Sequence, residues 1–346
     1  MVPLEDASTV SDAESIAGSP PPDDPQGAWT RLWRSGVLHS CATAIDGNYD
    51  GPVRAFWQSH FVRLPDGGVV VDVGTGNGAL ALLAMDTAHA RRKRLEVHGV
   101  DLADISPSRA GAADAGAFEG IDFHPCTSLT ALPFADGGID LLVSQFAFEY
   151  APREAAIVEA LRVLGRRGAA AMVLHSNDSL VARVSAERLP WFGHLLHGSP
   201  MLASADAVVD VLAHARTQAE RSALAADPRA EATRAAFNDA AGDLLERAAE
   251  PGAGEVLGRF MPALSQAVRS ASADPLRARQ ALDALRQWLR DEEERLMQLH
   301  DALLGASELE ALADRFRSAG HAVACGSLEQ RPGAKLGWTL EIASRG

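Results

Sequence analysis

Three consecutive β-branched residues, Val69-Val70-Val71, run straight into Asp72-Val73-Gly74-Thr75-Gly76-Asn77-Gly78, and the small and apolar residues Ala79 to Ala84 follow at once. The apolar run reads as a buried parallel strand and the segment after the glycines as a helix. Between them, a glycine-rich turn leaves the free amide N–H groups of a helix N-terminus open to a ligand and lets that ligand approach the backbone closely. Whatever else the chain does, this unit demands a β-turn-α layer with a binding edge at the strand's carboxyl end.

The next 100 residues repeat that alternation. Leu95 to Val100 reads as a second strand closed by Asp101, Ile121 to His124 as a third, and Ile139 to Ser144 as a fourth introduced by the turn Asp136-Gly137-Gly138. A helix near Arg153 to Val163 precedes a fifth strand, Ala169 to Leu174. Strands alternating with helices at this spacing predict an α/β fold with a doubly wound parallel sheet. From Ser179 to Gly305 the signals are almost all helical, broken at Pro228, Pro251-Gly252 and Pro275. In the segment Gln280 to Leu304, Leu282, Leu285, Leu289, Leu296, Leu299 and Leu303 recur every three or four residues and make one apolar stripe, which Glu292 interrupts. Such a stripe packs within a helical bundle or builds a dimerising coiled coil. Strand character then returns: a helix from Glu308 to Ser318 stops at Gly320, and His321 to Leu328 and Leu336 to Ala343 read as two strands joined by Arg331-Pro332-Gly333. The helical block is therefore expected to be an insertion before a closing α-β-β unit.

Composition narrows the partners. The net charge of -14 argues against a nucleic-acid substrate, because a nucleic-acid enzyme needs a basic face. The one dense basic cluster, Arg91-Arg92-Lys93-Arg94, reads as a solvated helix end. No apolar stretch approaches the roughly 18 residues of a membrane helix. Residues 1–27 carry six acidic side chains from Glu5 to Asp24 and the run Pro20-Pro21-Pro22 without a lysine or arginine, the composition of a disordered acidic tail and not of a signal peptide. Cys41, Cys126 and Cys325 are widely spaced, which suits a cytoplasmic protein without a disulfide framework or zinc site.

By its glycines alone the loop also satisfies the loose dinucleotide fingerprint, as Gly74-x-Gly76-x-x-Ala79. Two details weigh against a pyrophosphate: the acidic Asp72 just before the turn, and Gly78 as a third glycine two residues after Gly76. A carboxylate there is a partner for a cation, such as the ammonium and sulfonium of a sulfonium amino acid. The segment Val71 to Gly78 resembles motif I of the class I S-adenosylmethionine (SAM)-dependent methyltransferases. Leu132-Pro133-Phe134 to Phe146 resembles their "LPF…DLV" fourth-strand region, and Leu161 to Gly168 resembles their "LRVLKPGG" turn. The resemblance spans about Ala28 to Leu174, with the terminal strand pair from Ser307 to Gly346 added. It implies a Rossmann-like, mostly parallel seven-stranded sheet with a terminal antiparallel hairpin, and SAM as cofactor. It assigns SAM binding to Asp72, Gly74, Thr75, Gly76, Asn77 and Gly78, to Asp101 (ribose hydroxyls) with Leu102, and to Ser144, Gln145 and Phe146. The family's usual acidic residue after the third strand is missing from Pro125-Cys126-Thr127-Ser128-Leu129, so Thr127 or Ser128 is the candidate adenine contact.

Methyl transfer needs alignment first and a base only when the acceptor must lose a proton. Upstream of the first strand, Tyr49 is a candidate to face the sulfonium, where an aromatic ring attracts a cation, or a core residue like Phe56 and Trp57. Glu149 and Tyr150, just after the fourth strand, and His175, closing the fifth, lie at the carboxyl edge where open α/β sheets bind ligands, and are the candidate catalytic residues. The bland alternatives are a helix start for the pair and an ordinary loop histidine. His194 and His197 lack a carboxylate partner for a metal site, and no metal is expected.

These readings predict a SAM-binding core over residues 28–178 and 307–346, with residues 179–306 capping an acceptor pocket that the apolar residues Leu189 to Leu202 help to line. The expected reaction is methyl transfer to a small molecule, O-methylation first and N- or C-methylation open, in a chain that can dimerise through its helical block. Three rivals stand beside it: a nicotinamide-dependent oxidoreductase, an aminopropyltransferase using decarboxylated SAM, and a catalytically inactive SAM-fold scaffold.

Overall fold

The computed structural model of the chain describes residues 25–40, 47–111 and 113–345. Seven strands, β1 (Gly68–Val73), β2 (Leu95–Val100), β3 (Ile121–His124), β4 (Leu141–Gln145), β5 (Ala169–Leu174), β6 (Val323–Arg331) and β7 (Ala334–Ile342), form one sheet in the order β3-β2-β1-β4-β5-β7-β6. The first five run parallel, and β7 pairs antiparallel with both β5 and β6. The strand order reverses between β1 and β4, which makes the carboxyl ends of those two strands the topological switch point where such sheets bind ligands.

Twelve helices accompany the strands among the described residues. Helices α1 (Pro25–Arg34) and α2 (Gly51–Phe61) precede the sheet; α3 (Ala79–Ala90), the single turn α4 (Pro107–Ala110) and α5 (Arg153–Leu164) connect its strands. Six more, α6 (Leu180–Gly193), α7 (Met201–Leu212), α8 (Gln218–Ala225), α9 (Pro228–Glu246), α10 (Ala253–Ser270) and α11 (Pro275–Ala302), lie between β5 and β6, and α12 (Ala306–Ser318) leads into β6. One face of the sheet buries Val70, Leu141, Val143 and Val173 against α2 and α3; the other buries Val71, Leu142, Met172 and Leu340 against α5 and α12. Both faces of the central strands are thus covered, which explains why β1 reads as a continuous apolar run and not an alternating one.

The helical block has its own core. Leu282, Leu285 and Leu289 of α11 pack with Trp191, Phe192 and Leu195, with Met201 and Val209 of α7, and with Val256, Phe260 and Leu264 of α10. Of the leucine stripe, Leu282, Leu285, Leu289 and Leu296 are spent inside the bundle. Its acidic interruption is paired, since Glu292 receives Arg295 at 2.5 Å and lies 3.7 Å from Arg188. The prolines that break the helical pattern have defined roles: Pro228 and Pro275 occupy the first turns of α9 and α11 behind the capping carboxylates of Asp227 and Asp274.

Two expectations need correction here. Residues 25–27, assigned to the acidic tail, form the first turn of α1; residues 1–24 lie outside the described region, as do Cys41 and the rest of 41–46. The stretch Leu189 to Leu202 does not reach a pocket on the sheet. Trp191, Phe192, Leu195, Met201 and Leu202 are buried in the bundle core, because burying that much apolar surface against α10 and α11 is worth more than exposing it to a polar cleft.

Entry to and exit from the helical block lie side by side. The Leu304 N–H donates to the His175 carbonyl at 3.1 Å and the Asn177 N–H to the Leu304 carbonyl at 3.1 Å, a short parallel bridge just beyond the end of β5. The block therefore rises from the carboxyl edge of the sheet, and the last turns of α11 descend onto it.

Candidate active site

A cavity of about 450 Å³ opens at the switch point, within the roughly 300–1,000 Å³ typical of small-molecule sites. Its floor is the turn after β1. There Asp72 and Thr75 are buried, and the Thr75 Oγ1 donates to the Asp72 Oδ2 at 2.6 Å. Asp101, at the end of β2, accepts the Gly76 N–H on one oxygen and the Ala103 N–H on the other, each at 2.8 Å. Each carboxylate oxygen keeps further acceptor capacity. Burial pushes the Asp72 carboxyl up to about 7, with the Asp101 charge adding to it, and burial likewise raises Asp101 to about 6. Two acids held so close together inside a cleft are suited to a cationic ligand, which would relieve both. A pyrophosphate would meet repulsion instead.

The glycines are required by contact. A Cβ on Gly74, whose φ is +69°, would sit 2.1 Å from the Ala147 Cβ, and one on Gly76 would sit 2.7 Å from the Trp33 ring. Trp33 belongs to α1, which lies across the loop. The Asn77 Nδ2 fixes it there by donating to the carbonyls of Trp33 and Val37, both at 2.7 Å. Helix α1 is strapped in turn to α11: Trp29 Nε1 donates to Gln298 Oε1 at 2.7 Å, Arg31 grips Asp291 through two hydrogen bonds, and Arg295 donates to the Ala28 carbonyl. The cavity is thus walled by the loop, by Trp29 and Trp33 of α1, by Tyr49, and by Gln298, Asp301 and Ala302 at the end of α11.

The far wall comes from the turn after β4. Phe146 adopts a left-handed backbone, φ +58°, which is strained for a side chain of its size. Its ring lies parallel to the His175 imidazole with centroids 4.3 Å apart. Gly337 on β7 leaves room for it, since a Cβ there would stand 3.0 Å from the Phe146 ring. Glu149 follows on a single turn of 3-10 helix, Phe148–Tyr150. One carboxylate oxygen accepts the backbone N–H of His175 at 2.6 Å; the other is buried and without a hydrogen-bond partner among the described residues. Burial pushes this carboxyl up to about 7. The buried Gln145 amide has its oxygen bound by the Trp57 Nε1–H and its Nε2 unpartnered among the described residues.

Of the residues singled out from sequence, the cavity gathers Tyr49, Asp72, Gly74, Thr75, Asp101, Leu102, Ser128, Gln145, Phe146, Glu149 and Tyr150. Others stand behind it. Ser144 is fully buried and its Oγ accepts the Phe148 N–H, so it supports the turn and does not touch the cavity. Thr127 is turned toward the Pro125 carbonyl, and Gly76, Asn77 and Gly78 are covered by Trp33, the segment after α1 and Phe123. His175 does not line the cavity: it is 4% exposed, and burial lowers its pKa to about 3. The fifth strand does end at the right edge, but Phe146 and Glu149 fill the space in front of its last side chain. Sequence reasoning missed Trp29 and Trp33, whose i, i+4 spacing is the one available hint that both face the same way. It also missed Gln298 and Asp301, which no local pattern distinguishes from other polar helix positions. Among the described residues no three His, Cys, Asp or Glu side chains converge as metal ligands, and no helix is long and apolar enough to cross a membrane.

A family model agrees with this geometry. The family model described as "Methyltransferase domain" matches residues 71–172, from within β1 into β5. No curated protein matches the chain. Among solved structures, the geranyl diphosphate C-methyltransferase of Streptomyces coelicolor is 18% identical, with 44% of this chain and 65% of that one covered and a TM-score of 0.32. The cyclase SpnF is 23% identical, with 43% and 59% covered and a TM-score of 0.33. The phosphoethanolamine N-methyltransferase 2 of Haemonchus contortus is 18% identical, with 46% and 36% covered and a TM-score of 0.31. In each case the match spans less than two thirds of the solved protein's own length. The family match, the doubly wound sheet and the loop between Asp72 and Gly78 agree: residues 71–172 carry a class I, Rossmann-like methyltransferase domain, of the kind that uses S-adenosylmethionine.

Proposed function

We propose that the chain methylates a hydroxyl group of a small-molecule acceptor held between the switch point and the end of α11. The core is taken as residues 28–178 and 307–346, with the helices of 179–306 closing the acceptor side. One observation carries the reading: the unpartnered carboxylate oxygen of Glu149 is buried on the same cavity as Asp72 and Asp101.

When bound, SAM supplies an activated methyl on a sulfonium, which an in-line nucleophile displaces. The residues placed to hold it are Asp72 and Thr75 with the backbone of Gly74 for the amino-acid end, Asp101 for the ribose, and Leu102 and Ser128 toward the adenine. The remaining work is the protein's own. Glu149, with a pKa near 7, is poised to take the acceptor's proton near neutral pH, where a base is both available and strong enough. The Gln145 Nε2–H is available to an acceptor oxygen, and Tyr150 borders the same wall. Helix α1 and the end of α11 narrow access for water, which would otherwise solvate the nucleophile.

Calorimetric titration with S-adenosylhomocysteine, with NADH in parallel and Gly76→Arg as control, tests the reading. Micromolar binding of the homocysteine product that the variant loses supports it. Binding of NADH alone favours an oxidoreductase, and binding of neither favours a scaffold.

A further inference from the structure

The acceptor side of the cavity is one-signed in charge. Beyond Asp72 and Asp101, which face the loop, two carboxylates line it: Glu149, and Asp301 at the last turn of α11. Among the described residues no lysine or arginine lines the cavity. The neighbouring cations are already engaged: Arg31 is held by Asp291, and Arg295 by Glu292 and the Ala28 carbonyl. His39 lines the cavity too, but burial lowers its pKa, which keeps it neutral at pH 7. Residues 1–24 and 41–46 contain no lysine or arginine. Asp301 is exposed at the cavity rim, and Glu149 presents a buried oxygen without a hydrogen-bond partner among the described residues. The same cavity has aromatic walls: Trp29 and Tyr150 meet edge to face at 5.8 Å, and Trp33 stacks on Trp29.

Resting on the methyltransferase reading above, we infer that the acceptor is an aromatic molecule bearing a hydroxyl and a cationic amine and no anionic group. The ring lies against the Trp29 and Tyr150 wall and the ammonium faces Asp301, where attraction to a carboxylate and to aromatic faces act together. The hydroxyl faces Glu149. In the step, the O–H proton passes to the Glu149 carboxylate, the oxygen forms a bond to the methyl carbon, and the methyl–sulfur bond breaks with its electron pair returning to sulfur, leaving a neutral thioether. Phosphorylated, diphosphorylated and carboxylate-bearing acceptors are disfavoured, because each would bury a negative charge beside Glu149 and Asp301 with no lysine or arginine side chain to offset it.

Three probes of nearly one shape test this by calorimetry on the full chain saturated with S-adenosylhomocysteine at pH 7.5: tyramine, 4-ethylphenol and 4-hydroxyphenylacetate. Tyramine is expected to bind about tenfold or more tighter than 4-hydroxyphenylacetate, with 4-ethylphenol between them, because attraction of one charge and repulsion of the other add. Asp301→Asn, a change at an exposed position, is expected to narrow that ratio to within about threefold. Equal or tighter binding of 4-hydroxyphenylacetate overturns the inference, as does an unchanged ratio in Asp301→Asn or the failure of all three probes to bind at millimolar concentration. Failure of S-adenosylhomocysteine itself to bind is a different result, which removes the methyltransferase reading instead.

Discussion

Arg31 and Asp291, 260 positions apart, meet in a two-pronged ion pair, Nε to Oδ2 at 2.8 Å and Nη2 to Oδ1 at 2.6 Å. Gln287, one turn earlier on α11, adds a hydrogen bond to the same carboxylate at 2.8 Å. The pair joins the helix that covers the cofactor loop to the helix that closes the acceptor side. Asp291 is 6% exposed, so truncating it strands a half-buried guanidinium. Asp291→Ala is expected to cost about 1–3 kcal/mol of stability, measured by urea denaturation. Because α1 also carries Trp33, the same change should weaken binding of S-adenosylhomocysteine several-fold. Unchanged affinity would show that α1 seats on the loop without help from α11.

Gly74→Ala should abolish cofactor binding while the protein still folds. The added methyl has to displace the Ala147 Cβ, 2.1 Å away, and the φ of +69° is strained for alanine. The shift falls on the turn that carries Gln145, Phe146 and Glu149, so both ends of the cavity are disturbed at once. Titration with S-adenosylhomocysteine, alongside a thermal melt, separates loss of the site from loss of the fold.

Asp72→Asn should move stability and binding in opposite directions. In the ligand-free protein the Asp72 carboxyl titrates near 7 against an ordinary value near 4, so between those pH values the folded state holds a proton that the unfolded state has released. Stability from this group is present at low pH and lost as pH rises to about 7. Asparagine escapes that loss. The melting temperature of Asp72→Asn relative to the unchanged protein is expected to climb from pH 4 to pH 8, by the equivalent of about 1–4 kcal/mol. Affinity for S-adenosylhomocysteine, whose ammonium needs the charge, should fall over the same range. In the unchanged protein that affinity should rise with pH up to about 7, with proton release visible in buffers of different ionisation enthalpy.

Glu149→Gln should lower kcat by about 10²–10⁴ once an acceptor is found. The pH profile of the unchanged protein should rise to a plateau above about 7 as Glu149 ionises, and the variant should lose that rise. His175→Phe, which preserves the ring against Phe146, should leave the midpoint where it was. A shifted midpoint in His175→Phe would return the base role to the histidine.

Much of this was readable beforehand because it is local. The strands β2, β3 and β5 fall on the residues their apolar runs mark, and the Asp72 to Gly78 turn declares itself through glycines that only a close approach requires. His175 stands behind the cavity wall because topology gives the edge at which a strand ends, while the side chain that reaches the cleft depends on what fills the space in front. Here a left-handed Phe146 does so, and no pattern announces a positive φ at phenylalanine. The apolar residues from Leu189 to Leu202 pointed inward to the bundle for the same reason, since hydrophobicity gives burial without saying which core receives it. Gln298 and Asp301 are unreadable in principle from a window of sequence. Their place follows from a 28-residue helix returning to the strand end that the chain left 130 residues earlier, a closure fixed by the Ser176 and Leu304 bridge.

The tryptophans of α1 carry a last consequence. Of the six in the chain, Trp29 and Trp33 are the two that border the cavity; the others sit on α2, in the helical bundle or on β7. An adenine or an acceptor ring entering beside them changes the polarity and stacking their indoles experience. The protein therefore contains its own optical probe: occupancy of the site can be followed by intrinsic fluorescence, without a label and without turnover, and a Trp33→Phe variant shows how much of the signal comes from the indole over the loop.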